Sequence, residues 1–380
     1  MDAIDKIEFL GRSAQHDLCA ACGEDTSRKR DGLDRWIYPA VMPDGKRVRL
    51  LKILLTNVCE KNCYYCNNRA GRDVQRVSFA PEEMARLFDQ MHRANLVEGL
   101  FLSSGVCASS ERSMDRMIAC VELLRGQYAF SGYVHLKLLP GATDAHIERA
   151  MQIAHRVSVN LEAPNAERLG CIAPVKDWAV LARPMAIVNR LREASGGRLA
   201  PAGQTTQYVV GAAGESDQEI LGTTARLYAE VGLSRAYFSA FQPIPDTPLE
   251  NLPPAPTWRE HRLYQSDWLL RFYGFSYDDL VFGIDGNLPR RADPKQMYAY
   301  AHPERYPIEV NRAPRQDLLR VPGLGPRSVA RLMDWRRQGK LRELADLKKA
   351  GAMAERAAPY VLLDGKQPPH QLPLWEDWPE

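Results

Sequence analysis

No apolar run in this chain approaches the ~18 residues needed to span a bilayer. Its start, Met1-Asp2-Ala3-Ile4-Asp5-Lys6, lacks the basic and then apolar pattern of a secretory signal. A large excess of either charge is missing too: the net value is +3, so overall charge selects no partner. Without export or membrane signals, the expectation is a cytoplasmic protein with no membrane partner. In that compartment the eight cysteines read as ligands, nucleophiles or core residues rather than disulfides.

What is present is a regular alternation. Residues 1–45 are polar, with a cluster at Arg28-Lys29-Arg30, and read as an N-terminal extension. From there short apolar runs alternate with amphipathic segments. Strands are expected at Leu50–Thr56, Gly99–Ser104, Tyr133–Leu138, Arg156–Leu161, Thr205–Val210 and Arg235–Ala240. Helices are expected at Pro81–Asn95, Ser113–Arg125, Thr143–His155, Trp178–Ala194, Asp217–Val231 and Trp258–Tyr273. Strands each followed by a helix signify a parallel α/β architecture. Periodicity alone leaves a partial barrel and an open, doubly wound sheet equally available.

Directly after the first of these strands comes Cys59-Glu60-Lys61-Asn62-Cys63-Tyr64-Tyr65-Cys66. Three thiolates at this spacing can hold three irons of a [4Fe–4S] cube. The fourth cysteine that would close the cluster is absent nearby, which leaves one iron open to a small molecule. Structural zinc would also need a fourth ligand, and Cys19 and Cys22 are distant in sequence. The run resembles the motif of the radical S-adenosylmethionine (SAM) superfamily, including the aromatic Tyr65 before the last cysteine.

That resemblance implies a (β/α)6 partial TIM barrel, with the cluster and SAM at the C-terminal ends of its strands. It also implies an enzyme that splits SAM into methionine and a 5′-deoxyadenosyl radical, fed by an electron donor such as flavodoxin or ferredoxin. Tyr65 would lie beside the adenine. Ser103-Ser104-Gly105 stands where the family often has Gly-Gly-Glu, whose backbone holds the SAM amino group; an ordinary turn reads almost as well. Asn160 and Glu162 match positions that contact the SAM ribose or amino acid portion. Gly211-Ala212-Ala213-Gly214-Glu215 resembles a stretch that packs near the adenine.

Strand alternation puts His135 and Lys137 on one face and Val134, Leu136 and Leu138 on the other. Polar residues on a parallel strand are unexpected, because both faces are normally buried. A lumen holding SAM and substrate would explain them, and so would a satisfied buried pair. Cys107, Cys120 and Cys171 read as small core residues. Cys19-Ala20-Ala21-Cys22 is a lone C-x2-C that leaves an auxiliary metal open.

The C-terminal part differs in charge. Between Asn311 and Lys349 eleven Lys/Arg face four Asp/Glu, a local balance of +7. Within it, Arg320-Val321-Pro322-Gly323-Leu324-Gly325-Pro326-Arg327 joins two helical segments through a tight turn. This resembles the helix–hairpin–helix family. The resemblance implies that loop amides around Gly323, Leu324 and Gly325, with Arg320, Arg327 and Arg331 nearby, form a phosphate site for nucleic acid. Leu341–Leu363 reads as a second, degenerate half. A purely packing role stays open.

A radical SAM core with this segment, Asp293-Pro294-Lys295 and His302-Pro303-Glu304, resembles a group of radical SAM proteins assigned to DNA modification or repair. The match begins at Ile7-Glu8-Phe9-Leu10-Gly11 and His16-Asp17-Leu18-Cys19. The expected plan is an extension over 1–45, a radical SAM core over 46–300, a small all-α helix–hairpin–helix domain over 301–365 and a Pro-rich tail over 366–380. DNA is the expected substrate, with RNA, or a non-enzymatic iron–sulfur protein that binds nucleic acid, as alternatives.

Overall fold

Seven strands lie side by side in chain order in one sheet, which curls into a half-barrel. The computed structural model describes residues 3–15, 37–41 and 47–371. It divides into two compact units: Met1–Glu215 with Arg226–Glu260, and Ser216–Ala225 with His261–Glu380.

The first unit opens with helix α1 (Ala3–Gln15) and strand β1 (Ile37–Val41), both inside the stretch read from sequence as a polar extension. Strand β2 (Arg47–Leu54) pairs antiparallel with β1 and parallel with β3 (Gly99–Ser103). The remaining strands, β4 (Tyr133–Lys137), β5 (Arg156–Ser158), β6 (Gln204–Val210) and β7 (Leu233–Ala240), continue the parallel order. Six parallel strands therefore stand where six were expected, with β1 added at one edge. β5 stops at Ser158 rather than Leu161, so Asn160 and Glu162 lie beyond its end.

The helices between the strands are α2 (Pro81–Arg93), α3 (Ser110–Gly126), α4 (Asp144–Ile153), α5 (Ala166–Ile172), α6 (Trp178–Ala194) and α7 (Asp217–Glu230). Their starts follow from single residues. Ser109, Thr143, Asn165 and Asp177 each accept a backbone N–H from three residues on, at the starts of α3, α4, α5 and α6. Such a cap is worth about 1 kcal/mol. Helix α1 is fixed by burial of Ile7 and Leu10 and by an ion pair from Lys6 to Glu83 at 2.7 Å.

Alternation along the strands separates two environments. Leu51, Ile53, Leu100, Leu102, Val134 and Leu136 are fully buried on one face. On the other, Lys52, Phe101, His135 and Arg156 stand in register across β2 to β5. Phe101 stacks on His135 with ring centroids 4.2 Å apart, and the Lys52 ammonium lies 5.0 Å from the Phe101 ring centroid.

The chain continues through α8 (Thr257–Phe272) to α9 (Pro294–Ala301), whose start is capped by the Asp293 carboxylate. Beyond it come β8 (Ile308–Glu309), α10 (Arg315–Arg320), α11 (Pro326–Trp335), α12 (Leu344–Lys349), α13 (Ala354–Ala357) and β9 (Val361–Leu362). β8 and β9 pair in parallel, so the C-terminal segment is not purely helical. Val310, Leu318, Leu324, Leu332, Leu347 and Val361 form its core.

Candidate functional site

The loop between β2 and α2 carries the three cysteines, and two residues hold its path. The Asn57 amide donates to the Gln75 carbonyl at 2.8 Å and accepts from the Val77 N–H at 2.7 Å. The Arg76 guanidinium donates to four carbonyls, those of Asn57, Asn68, Arg69 and Arg72, at 2.7 to 3.0 Å. Arg76 thus closes the loop on itself, something no motif in the sequence announced. Neighbouring segments reach the loop as well: the Glu60 N–H bonds the Val106 carbonyl beyond β3 and the Tyr64 N–H the Ile172 carbonyl at the end of α5, both at 2.8 Å. Gly105 lies so close that a Cβ there would sit 2.3 Å from the Val58 carbonyl oxygen and 3.2 Å from the Cys59 Cβ.

None of the three cysteines is in a disulfide; Cys63 is buried and Cys59 and Cys66 are half-buried. Burial pushes the Cys63 thiol up; Lys176 opposes this, while Glu162 and Cys59 add to it. The Asn68 N–H points at the Cys66 sulfur, 3.4 Å away. Among the described residues no three His, Cys, Asp or Glu side chains converge on one ion. Thiolates that each take a different iron of a cube need not converge on a point. The donor set, three thiols on one stapled loop, fits a [4Fe–4S] cluster with an open iron.

Beside the thiols stands a cluster brought together from distant parts of the chain, with Glu162 buried and Tyr65 and Lys176 half-buried. The Lys176 ammonium donates to Glu162 at 3.0 Å and to the Tyr65 hydroxyl at 3.2 Å, and lies 5.7 Å from the Tyr65 ring centroid. Burial works against the Lys176 charge, but Glu162 and then Cys63 outweigh it and hold the ammonium above its usual range. Burial, with Glu162 beside it, pushes the Tyr65 phenol well up. Glu162 is anchored by its backbone, with φ of +66° and hydrogen bonds to Gln207 and Val209 on the β6 edge. Lys176 was not foreseen: it sits in a loop before the cap of α6 and belongs to no pattern.

The other expected SAM contacts spread over the strand ends. Ser103 is buried at the end of β3, and its carbonyl accepts the Leu55 N–H at 2.8 Å. The Ser104 hydroxyl donates to the Gly105 carbonyl at 2.8 Å. Asn160 is buried. At Gly211 the backbone turns with φ of +90°, and its N–H and that of Ala213 both bond the buried Glu215 carboxylate. A Cβ on Gly211 would meet Ala255 at 2.6 Å. Glu215 therefore folds its own loop. His135 is buried with no partner for Nε2; burial, followed by Arg156, Lys52 and Lys137, pushes its imidazole well down. Cys120 is buried as expected, but Cys171 is exposed on the surface of α5, so it is no core residue. Cys19 and Cys22 lie outside the described residues.

In the C-terminal unit the Gly-Leu-Gly turn joins α10 to α11. Leu324 is buried in the core, and Gly323 has φ of +87° with no room for a Cβ, which would lie 2.6 Å from the Met353 carbonyl. The turn thus packs on the segment around α13. Of its amides, that of Leu324 bonds Val321 and that of Gly325 bonds the Ser328 hydroxyl at 2.8 Å. Arg320 does not join a phosphate site: it pairs with Asp279 at 3.0 Å and with the Tyr298 hydroxyl. Arg327 and Arg331 are exposed.

The radical SAM superfamily matches over residues 53–227. No curated protein matches the chain. Among solved structures, HydG, a maturase of the [FeFe]-hydrogenase, is 13% identical over 58% of this chain and 49% of its own, with a TM-score of 0.45. Methylornithine synthase (PylB) is 13% identical over 58% of this chain and 61% of its own, with a TM-score of 0.46. A radical SAM methyltransferase from Sphaerobacter thermophilus is 16% identical over 60% and 68%, with a TM-score of 0.43. This chain thus spans less than two thirds of the length of HydG and of methylornithine synthase. No helix among the described residues is long and apolar enough to cross a membrane. Residues 53–227, with their thiol loop at the end of a parallel strand, thus match the radical SAM superfamily.

Proposed function

We propose that the chain cleaves SAM reductively and uses the radical on nucleic acid, with DNA as the substrate. Cys59, Cys63 and Cys66 would each hold an iron. Tyr65, Ser103, Ser104, Gly105, Asn160, Glu162 and Gly211 would surround SAM. Bound together, cluster and SAM supply the electron and the 5′-deoxyadenosyl group for radical chemistry. The chain's own residues orient and shield. Lys176 holds the Glu162 carboxylate in place, Arg76 keeps the thiol loop closed, and the buried apolar face of the sheet holds the strand ends in place. A flavodoxin- or ferredoxin-like protein would deliver the electron.

The nucleic-acid half of this reading rests on α10, the Gly-Leu-Gly turn and α11, read as a helix–hairpin–helix. Leu324 plugs the core, glycines turn the backbone, and Arg327 and Arg331 stand exposed in a segment of +7 charge. Phosphate would meet the start of α11 and these two arginines, giving binding with little sequence preference. The Leu324 and Gly325 amides are engaged inside the turn, so they are not counted in that site.

The test uses anaerobically reconstituted, reduced protein with SAM and either DNA or RNA, followed by nucleoside mass spectrometry. Anisotropy titrations at two salt concentrations run in parallel. A new nucleoside in DNA and strongly salt-dependent binding are expected. SAM cleavage without salt-dependent binding to either polymer would overturn the nucleic-acid half and leave the radical SAM half standing.

A further inference from the structure

Beside the Gly-Leu-Gly turn, within the C-terminal unit, lies a cavity of about 470 Å³ that the phosphate site does not use. Its walls include Trp268, Leu269, Tyr273, Lys295, Leu324 and Met353. Trp268 and Met353 are large apolar side chains left substantially open to solvent, as is Phe272, whose ring lies 5.2 Å from Trp268 in an edge-on arrangement. The Lys295 ammonium sits 4.7 Å from the Tyr273 ring centroid and donates to the Leu324 carbonyl of the turn. An amine has further hydrogens, so Lys295 retains donors for a second acceptor.

This combination selects a ligand. Exposed aromatic rings on a surface are uncommon without a partner and stack well on flat π systems. The volume falls in the range that encloses a drug-sized molecule, about 300–1,000 Å³. Arg327 and Arg331, on the helix that leaves the same turn, supply charge complementary to a phosphate. A flat ring with hydrogen-bond acceptors, attached to an anionic backbone, describes an unpaired nucleotide. In a paired duplex the same ring is stacked and out of reach.

We propose that this cavity receives an unpaired nucleobase of the strand whose backbone the hairpin holds, with the base stacking on Trp268 and its acceptors facing Lys295. The inference rests on the nucleic-acid reading above and narrows it: the preferred form is single-stranded DNA, or a duplex with an unpaired base, rather than intact duplex. Trp268 is a recognition residue and takes no part in SAM cleavage.

The test titrates intact, reconstituted protein into a single-stranded oligonucleotide carrying 2-aminopurine, and into the same sequence fully paired. The expected result is tighter binding of the single strand and a change in 2-aminopurine fluorescence. Trp268→Ala should weaken single-strand binding about tenfold or more, the scale of losing a base-stacking aromatic. Trp268→Phe should recover most of that loss, and duplex binding should move by less than about twofold. SAM cleavage without substrate should stay at the native rate in both variants and report that they are folded. Unchanged single-strand affinity and fluorescence response in Trp268→Ala would overturn the cavity assignment alone. Failure of the native protein to bind either form would overturn this inference and the nucleic-acid reading together.

Discussion

At the thiol loop, the atoms that matter belong to side chains gathered from separate stretches: Tyr65 and the cysteines from one loop, Glu162 from beyond β5, Lys176 from the approach to α6. At the glycine turn they belong to one short run from Val321 to Arg331. The first site exists only while the sheet is folded, because Glu162 is held by the β6 edge and Lys176 by Glu162. The second is a local shape that needs only its own core. Damage should therefore spread differently in the two places, steeply at the loop and gently at the turn.

The largest separation is expected from Cys63→Ala. Iron content after reconstitution should collapse and SAM cleavage should fall to background, while DNA affinity by anisotropy stays near native. Next comes Lys176→Met, which leaves Glu162 buried without its partner. Breaking one side of a buried pair costs about 3–5 kcal/mol, to be read as a lower guanidinium midpoint for the sheet unit. The double variant Lys176→Met/Glu162→Gln should recover part of that loss. A midpoint unmoved by Lys176→Met would mean that the ion pair does not organise the site.

A third prediction turns to Lys295, whose amine burial pushes down to about 7 from 10.5. The folded chain releases this proton near pH 7, whereas the unfolded chain keeps it to about 10.5, so unfolding takes up a proton between those values. Stability of the C-terminal unit should accordingly rise with pH from about 7 to about 10, by of order a few kcal/mol at most. The full burial cost is felt below pH 7. Lys295→Met should flatten that slope, measured as urea stability at a series of pH values. The smallest effect is Arg327→Ala, which should lower DNA affinity across sequences and flatten the salt dependence by roughly one unit, with SAM cleavage unaltered.

How far the sequence could be read follows the same divide. The thiol run, the six parallel strands and most helix boundaries were legible because each rests on local spacing; α6 matches its expected span, Trp178–Ala194. Lys176 and Arg76 were not, since their partners are distant carbonyls and a carboxylate that only the fold brings near. β1 was passed over because it lies in a polar stretch and contains Pro39, which an edge strand tolerates and an inner strand would not. In α1 the spacing of Ile7, Leu10 and Ala14 carried a helical signal that the charged surroundings obscured. Arg320 was misjudged for a related reason: charge in a sequence does not say whether it points to solvent or, as here, to Asp279.

Gly105 has a consequence for genetics. It contributes no side chain to any chemistry, yet even alanine at 105 would force the Val58 carbonyl and Cys59 to move. In a saturation scan scored by activity, Gly105→Ala would therefore be a null allele, indistinguishable from loss of Cys59 itself. A spacer of this kind inflates the apparent active site of a mutational map. Recording iron content beside activity would show why: with Cys59 holding an iron as proposed, the allele would act by displacing a ligand rather than by removing one.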